Sequence, residues 1–170
     1  MQVERCKPED LGLDLGALEV FLGATGPLAV VDLETTGLSN DPEAELDLVL
    51  GVATNDASAS AHATVSAFGL ADLFDLVLGY DSVANPKPAG DPLLAFASHT
   101  GIEPGRVMMV GDNAHDMQCG RAGGAGLCVG VLSGNSTFEQ LIPLADHVID
   151  DISHLQALLA SLEHVAQVER

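Results

Sequence analysis

Four short, almost unbroken apolar runs set the narrowest limit on how this chain can fold. Residues 49–54, 76–79, 107–110 and 127–131 are each too short for an ordinary helix and lack the alternation of a strand with one wet face. Such runs suit strands covered on both sides, the usual state of a parallel sheet crossed by helices. The segments between them carry helix signals. Residues 58–68 read as a helix that stops at Gly69. Residues 92–100 read as another, with Asp91 as a candidate N-cap, Pro92 in the first turn and Gly101 just past the end. From about Leu48 onward the pattern predicts successive βα units. The fold class expected is α/β: a Rossmann-like, doubly wound sheet, mainly parallel, with helices on both faces.

The rest of the chain fits one domain over residues 1–170, with a core over 28–159 and a poorly assigned segment over 1–27. Residues 28–32 look like a further buried strand. Residues 8–22 have helical spacing, which Gly12 and Gly16 weaken. Ser136-Thr137-Phe138-Glu139 reads as a capping box opening a short helix. Leu155, Leu158, Leu159, Leu162 and Val165 recur at helical spacing and are expected to pack on the core.

Composition narrows the partners. With 6 basic residues against 25 acidic ones and a formal charge of −19, the chain repels phosphate backbones and anionic membranes, so neither nucleic acid nor a membrane is expected as a partner. Cys6, Cys119 and Cys128 form no C-x-x-C pair and are expected to be idle or buried thiols. Residues 1–10 lack an apolar signal core and no stretch has the length of a membrane span, which leads to a cytoplasmic expectation.

Ligands of such sheets gather at the carboxyl ends of the strands. One run leads into Gly111 and then Asp112 and Asp116, two carboxylates four residues apart that can share a face of a new helix. Hard oxygen ligands in that number suit Mg²⁺, which also keeps waters and binds substrate phosphate. The plainer reading makes Asp112 or Asn113 an N-cap and Asp116 a favourable first-turn charge. Thr54 and Asn55 close another run where a helix begins, a natural anion site. Lys87, between Pro86 and Pro88, is a cation in a stiffened loop, and Asp32 with Glu34 ends the run over 28–32.

In that order, Thr54, Lys87, Asp112 and Asp116 resemble the second, third and fourth motifs of the haloacid dehalogenase superfamily. The stretch Gly51-Val52-Ala53-Thr54-Asn55-Asp56 looks like its phosphoglycolate-phosphatase-like branch. The resemblance implies a phosphatase core that hydrolyses a small phosphorylated metabolite with Mg²⁺ through an aspartyl-phosphate. It implies phosphate binding by Thr54, Asn55 and Lys87, a catalytic role for Lys87 in stabilising charge, and metal binding by Asp112 and Asp116. It also implies Asp32 as nucleophile and metal ligand and Glu34 as acid, base and further metal ligand. Replacing Lys87 or Asp112 is then expected to end activity and spare the fold.

The first motif of that family, D-x-D-G-T, stands here as Asp32-Leu33-Glu34-Thr35-Thr36-Gly37, with Glu for the second Asp. Residues 41–48 leave about two helical turns for a crossover, close to the minimum, and no room for a cap domain. The site is therefore expected to be open or shielded by a second copy in a homo-oligomer. Two alternatives stand beside this reading: a degenerate relative that binds phosphate and Mg²⁺ without turnover or serves as an interaction module, and a DEDD-type 3′-5′ exonuclease, which the string from Asp32 to Gly37 resembles. His115 is expected to be an exposed helix residue. Asp81 and Ser82 suit either a turn or the pocket rim.

Overall fold

The computed structural model describes residues 28–34, 47–155, 157–159 and 161–162. The helix expected over 8–22, together with Cys6 and Val165, lies outside the described residues. Six strands, β1 (Leu28–Glu34), β2 (Asp47–Ala53), β3 (Leu76–Leu78), β4 (Val107–Gly111), β5 (Leu127–Val131) and β6 (His147–Ile149), form one sheet in the order β3-β2-β1-β4-β5-β6. Among the described residues, the helices that accompany them include α1 (Ser58–Ala67), α2 (Asp91–Thr100), α3 (Ala114–Gly123) and α4 (Phe138–Leu141). The pairs β2–β3, β4–β5 and β5–β6 are parallel, as the βα pattern predicts. Only β6, three half-buried residues at the sheet edge, gave no apolar run long enough to be noticed.

Side chains alternate across the sheet with the period of a strand. Leu50, Val52, Met108, Val110, Val129 and Val131 face one side, where Val65 of α1, Phe74, Ile152 and Leu155 cover them. Ala53, Val107, Met109 and Cys128 face the other, under Leu93 and Phe96 of α2, Met117 and Cys119 of α3, and Leu141 of α4. The sheet is thus covered on both faces by apolar side chains of modest size. Leu93, Met109, Met117 and Leu141 are wholly buried, each contributing roughly 1.5–3 kcal/mol of transfer free energy. Leu155 joins the first cluster with Leu158 and Leu159 packed against it, so that part of the leucine stripe is core.

Two helix starts sit one residue away from expectation, and one of them matters for the site. Asp91 is the first residue of α2, not its cap. Its carboxylate instead accepts from both the backbone amide and the side-chain amide of Asn85, each at 3.0 Å, bracing the loop that carries Lys87. In α4 the reciprocal pair is Thr137 and Gln140, with the Thr137 amide donating to Gln140 Oε1 at 2.8 Å, one position later than the Ser136–Glu139 box expected.

The central strand departs most from expectation. β1 runs antiparallel to both neighbours, so its carboxyl end lies at the edge where β2 and β4 begin. Because β1 and β2 pair antiparallel, no parallel crossover joins them; of the segment 41–48 expected to provide one, Asp47 and Leu48 belong to β2 and the rest lies outside the described residues.

Candidate active site

The carboxyl ends of β2 and β4 lie at one edge of the sheet, and the chemistry-bearing residues collect there. As β2 ends, the Thr54 amide donates to the carbonyl of Leu78 at 2.9 Å, which ties the turn to β3. The Asp56 amide then donates to Thr54 Oγ1 at 3.1 Å. The plain turn role of Thr54 is therefore real. Its hydroxyl hydrogen and the backbone amide of Asn55 nevertheless have no acceptor among the described residues, so both are available to an anion.

Lys87 reaches this edge from the braced loop and is buried, at 7% exposure. Its ammonium donates to the carbonyl of Ala53 at 2.8 Å and to Asp116 Oδ1 at 2.7 Å, leaving one N–H for a ligand. The Asn55 side-chain amide donates to the Lys87 carbonyl at 3.4 Å, joining the two loops.

β4 runs into Gly111 and then Asp112. Gly111 is needed for close approach: a Cβ there would fall 2.4 Å from Cβ of Asp116, which folds back over the strand end. Asn113 is the N-cap of α3 and accepts from the His115 amide at 3.0 Å. Asp116 Oδ2 accepts from the Asn113 amide at 3.0 Å. The capping reading and the functional reading thus share side chains, because Asp116 caps the helix with one oxygen and pairs with Lys87 through the other. Burial pushes the Asp116 carboxyl above the ordinary carboxylate range, and the Lys87 ammonium opposes that push.

Asp112 is buried, and its Oδ2 accepts from the Asn135 amide at 3.0 Å, while Oδ1 has no donor among the described residues. The ends of β2, β4 and β5 together shape an open cleft of about 210 Å³, lined by Thr54, Asn55, Lys87, Asp112 and Asp116, with Asp56, Asn113, His115 and Asn135 around them. Every one of these residues is polar. Among the described residues no group of three or more His, Cys, Asp or Glu could hold a metal ion. The donor set fits Mg²⁺, an ion held through one or two carboxylates with water and phosphate completing its shell; Asp112 is the carboxylate free to hold it.

The backbone of Asp32 and Glu34 lies away from the cleft. Asp32 is the register partner of Val49 and Val107, and Glu34 that of Asp47. From Val107 to Asp112 is five residues, about 17 Å at roughly 3.3 Å per residue. Their expected roles as nucleophile, acid, base and metal ligands are corrected on this ground: a reversed strand delivers its last residues to the opposite edge.

Asp81 and Ser82 also stay outside the cleft. Asp81 accepts from the Ser58 amide at 2.8 Å, serving the start of α1, and Ser82 Oγ accepts from the Gly79 amide at 3.0 Å. Sequence reasoning missed Asn135 and Asp56. The rule that singled out the other strand ends, applied to the end of β5, would have reached Ser133-Gly134-Asn135. His115 is exposed, as expected, but it lines the cleft.

Comparison with known proteins bears on the family. The model of the haloacid dehalogenase-like hydrolases matches residues 44–129. A probable phosphatase IndB of Dickeya dadantii (strain 3937) is 41% identical over 102 residues, covering 60% of this chain and 44% of that protein. Phosphoglycolate phosphatase of Escherichia coli (strain K12) is 39% identical over 77 residues, 45% of this chain and 31% of that protein. The chain therefore spans less than half the length of these two curated relatives. Among solved structures, a predicted phosphoglycolate phosphatase from Haemophilus somnus 129pt superposes with a TM-score of 0.60 at 26% identity, covering 65% of this chain and 49% of that one. A hydrolase of the same superfamily, subfamily IA, variant 1, from Geobacter sulfurreducens PCA gives 0.53 at 29% identity, covering 64% and 51%. With the family model matched over half of its length, this chain belongs to the haloacid dehalogenase-like hydrolases.

Proposed function

We propose that the chain acts as a phosphoric monoester hydrolase on a small phosphorylated metabolite, gripping the phosphate with Mg²⁺ in the cleft at the ends of β2 and β4. The observation that carries this reading is the convergence of Thr54, Lys87, Asp112 and Asp116 on one cleft from three separate loops. Phosphoryl transfer depends mostly on positioning and charge stabilisation, and these are the groups for it. The third N–H of Lys87, the Thr54 hydroxyl and the Asn55 amide donate to phosphoryl oxygens.

Charge balance says why a cation belongs there. Lys87 is already matched by Asp116. Asp112 and Asp56 therefore leave the cleft negative, and a phosphate dianion meets repulsion unless a divalent ion offsets it. Mg²⁺ held by Asp112 would supply that charge to the phosphoryl oxygens. Asp116 contributes by fixing Lys87.

A second reading is favoured by the direction of β1. With Asp32 and Glu34 at the far edge, the cleft binds phosphate and Mg²⁺ without turning an ester over. Release of p-nitrophenol from p-nitrophenyl phosphate, with MgCl₂ and with EDTA, is to be measured beside calorimetric binding of inorganic phosphate. Release that EDTA abolishes and Asp112→Asn loses supports the hydrolase. Magnesium-dependent phosphate binding without release supports the second reading. Absence of both refutes the cleft as a phosphate site.

A further inference from the structure

The turn after β5 touches the carboxylate of Asp112 more closely than any side chain would allow. A Cβ built on Gly134 falls 1.8 Å from Asp112 Oδ2 and 2.3 Å from both its Cβ and its Cγ. Rotating the carboxylate alone would not relieve that overlap, because the root of the side chain is equally close. The next residue, Asn135, donates its backbone amide to the same Oδ2 at 3.0 Å and lines the cleft. The turn thus holds one oxygen of Asp112 by a hydrogen bond and the side chain by contact, and leaves Oδ1 without a donor among the described residues.

We infer that Gly134 and Asn135 are positioning residues for cation binding: they fix Asp112 so that its second oxygen meets a divalent ion in the cleft. The inference rests on the reading of the cleft as a Mg²⁺ and phosphate site. A carboxylate that already accepts one hydrogen bond is oriented before the ion arrives, and losing such outer support typically weakens metal affinity about 10- to 100-fold. Gly134 serves here by having no side chain.

The test uses Mn²⁺ as the probe, with the free-ion signal followed by electron paramagnetic resonance during titration of the whole chain. Wild type is compared with Asp112→Asn, Gly134→Ala, Asn135→Pro and Gly105→Ala. The last is the control, since a Cβ at Gly105 meets nothing within 4 Å. Gly134→Ala is expected to bind Mn²⁺ about 10- to 100-fold more weakly. Asn135→Pro, which removes the donor and adds nothing at residue 134, is expected to weaken it as well, with Gly105→Ala unchanged.

Thermal melts accompany the titrations. If both turn variants melt earlier yet bind Mn²⁺ as wild type does below their transitions, while Asp112→Asn does not bind, the role is structural only and the inference is overturned with the cleft reading intact. If Asp112→Asn binds Mn²⁺ as wild type does, the cleft reading fails and takes the inference with it. Should Gly134→Ala not fold, Asn135→Pro decides between support and refutation by the same measurement.

Discussion

Lys87→Ala is expected to cost stability as well as phosphate binding. The side chains of Lys87 and Asp116 are 4% and 3% exposed and lie 2.7 Å apart, so removing the ammonium leaves a buried carboxylate without its partner and the Ala53 carbonyl without its donor. Removing one partner of such a pair costs about 3–5 kcal/mol. Against a net stability of about 5–15 kcal/mol this is large. At about 2–4 °C per kcal/mol for a chain of this size, the melting temperature should fall by roughly 6–20 °C. The substitution therefore weakens the fold, where the sequence alone led to the expectation that it would spare it. Without Lys87 only the Asn113 amide still opposes the burial that pushes the Asp116 carboxyl up, so its folded pKa lies further above the unfolded value, near 3.9. A group raised in the folded state contributes stability below the unfolded pKa and loses it as pH rises through the folded one, so the deficit of the variant should grow as pH rises above the unfolded value and level off once the folded pKa is passed. Lys87→Met with Asp116→Asn keeps an acceptor for the Asn113 amide and removes both charges, and should recover most of the loss. Urea denaturation followed by circular dichroism measures all of this. A Lys87→Ala curve within about 0.5 kcal/mol of wild type would refute the reasoning, since no buried ion pair could be lost so cheaply.

Three further outcomes are expected. Cys119 and Cys128 are buried, and burial pushes the Cys119 thiol up to about 11, so a disulfide reagent at pH 8 followed by peptide mass mapping should leave both unmodified in the native chain; rapid labelling of either contradicts their placement. Burial raises Asp146, but the Arg121 guanidinium at 2.7 Å and the Cys128 amide at 2.8 Å together outweigh it and hold the carboxyl below its ordinary range. The stability it supplies is present above its unfolded pKa and disappears as pH falls through the lower folded one, so Asp146→Asn should cost less than about 1 kcal/mol at pH 6 and nothing once the medium is acid enough to protonate the wild-type group. Asn113→Ala removes the N-cap of α3 and should cost about 1 kcal/mol in urea unfolding, with Asn113→Asp close to wild type.

The parallel units were legible because their residues constrain structure locally. The runs around Val52, Met109 and Val129 are apolar at successive positions, which only a strand covered on both faces needs. The site was legible for a related reason: once each strand direction within a βα unit is known, the residues after it must share an edge, and Thr54, Lys87, Asp112 and Asp116 do. The part played by Gly134 was not legible, because the need for a missing side chain arises from a contact across 22 positions of sequence and leaves no pattern in the turn itself.

The direction of β1 is the instructive failure. An apolar run ended by a carboxylate reads identically whichever way the strand is inserted, so nothing within Leu28–Glu34 reports its polarity. The information lies in the link. Residues 35–46 separate β1 from β2, and a parallel arrangement would oblige them to retrace a seven-residue strand of about 23 Å and cross the sheet face. Twelve residues are the bare minimum for a parallel crossover, and wound as a helix they reach only about 18 Å of that distance. An antiparallel return asks only for a reversal of direction. The shortness of that link, visible in the sequence, therefore outweighs the resemblance of Asp32-Leu33-Glu34 to a nucleophile motif, because chain connectivity decides which edge of the sheet a side chain can reach before its chemistry matters at all.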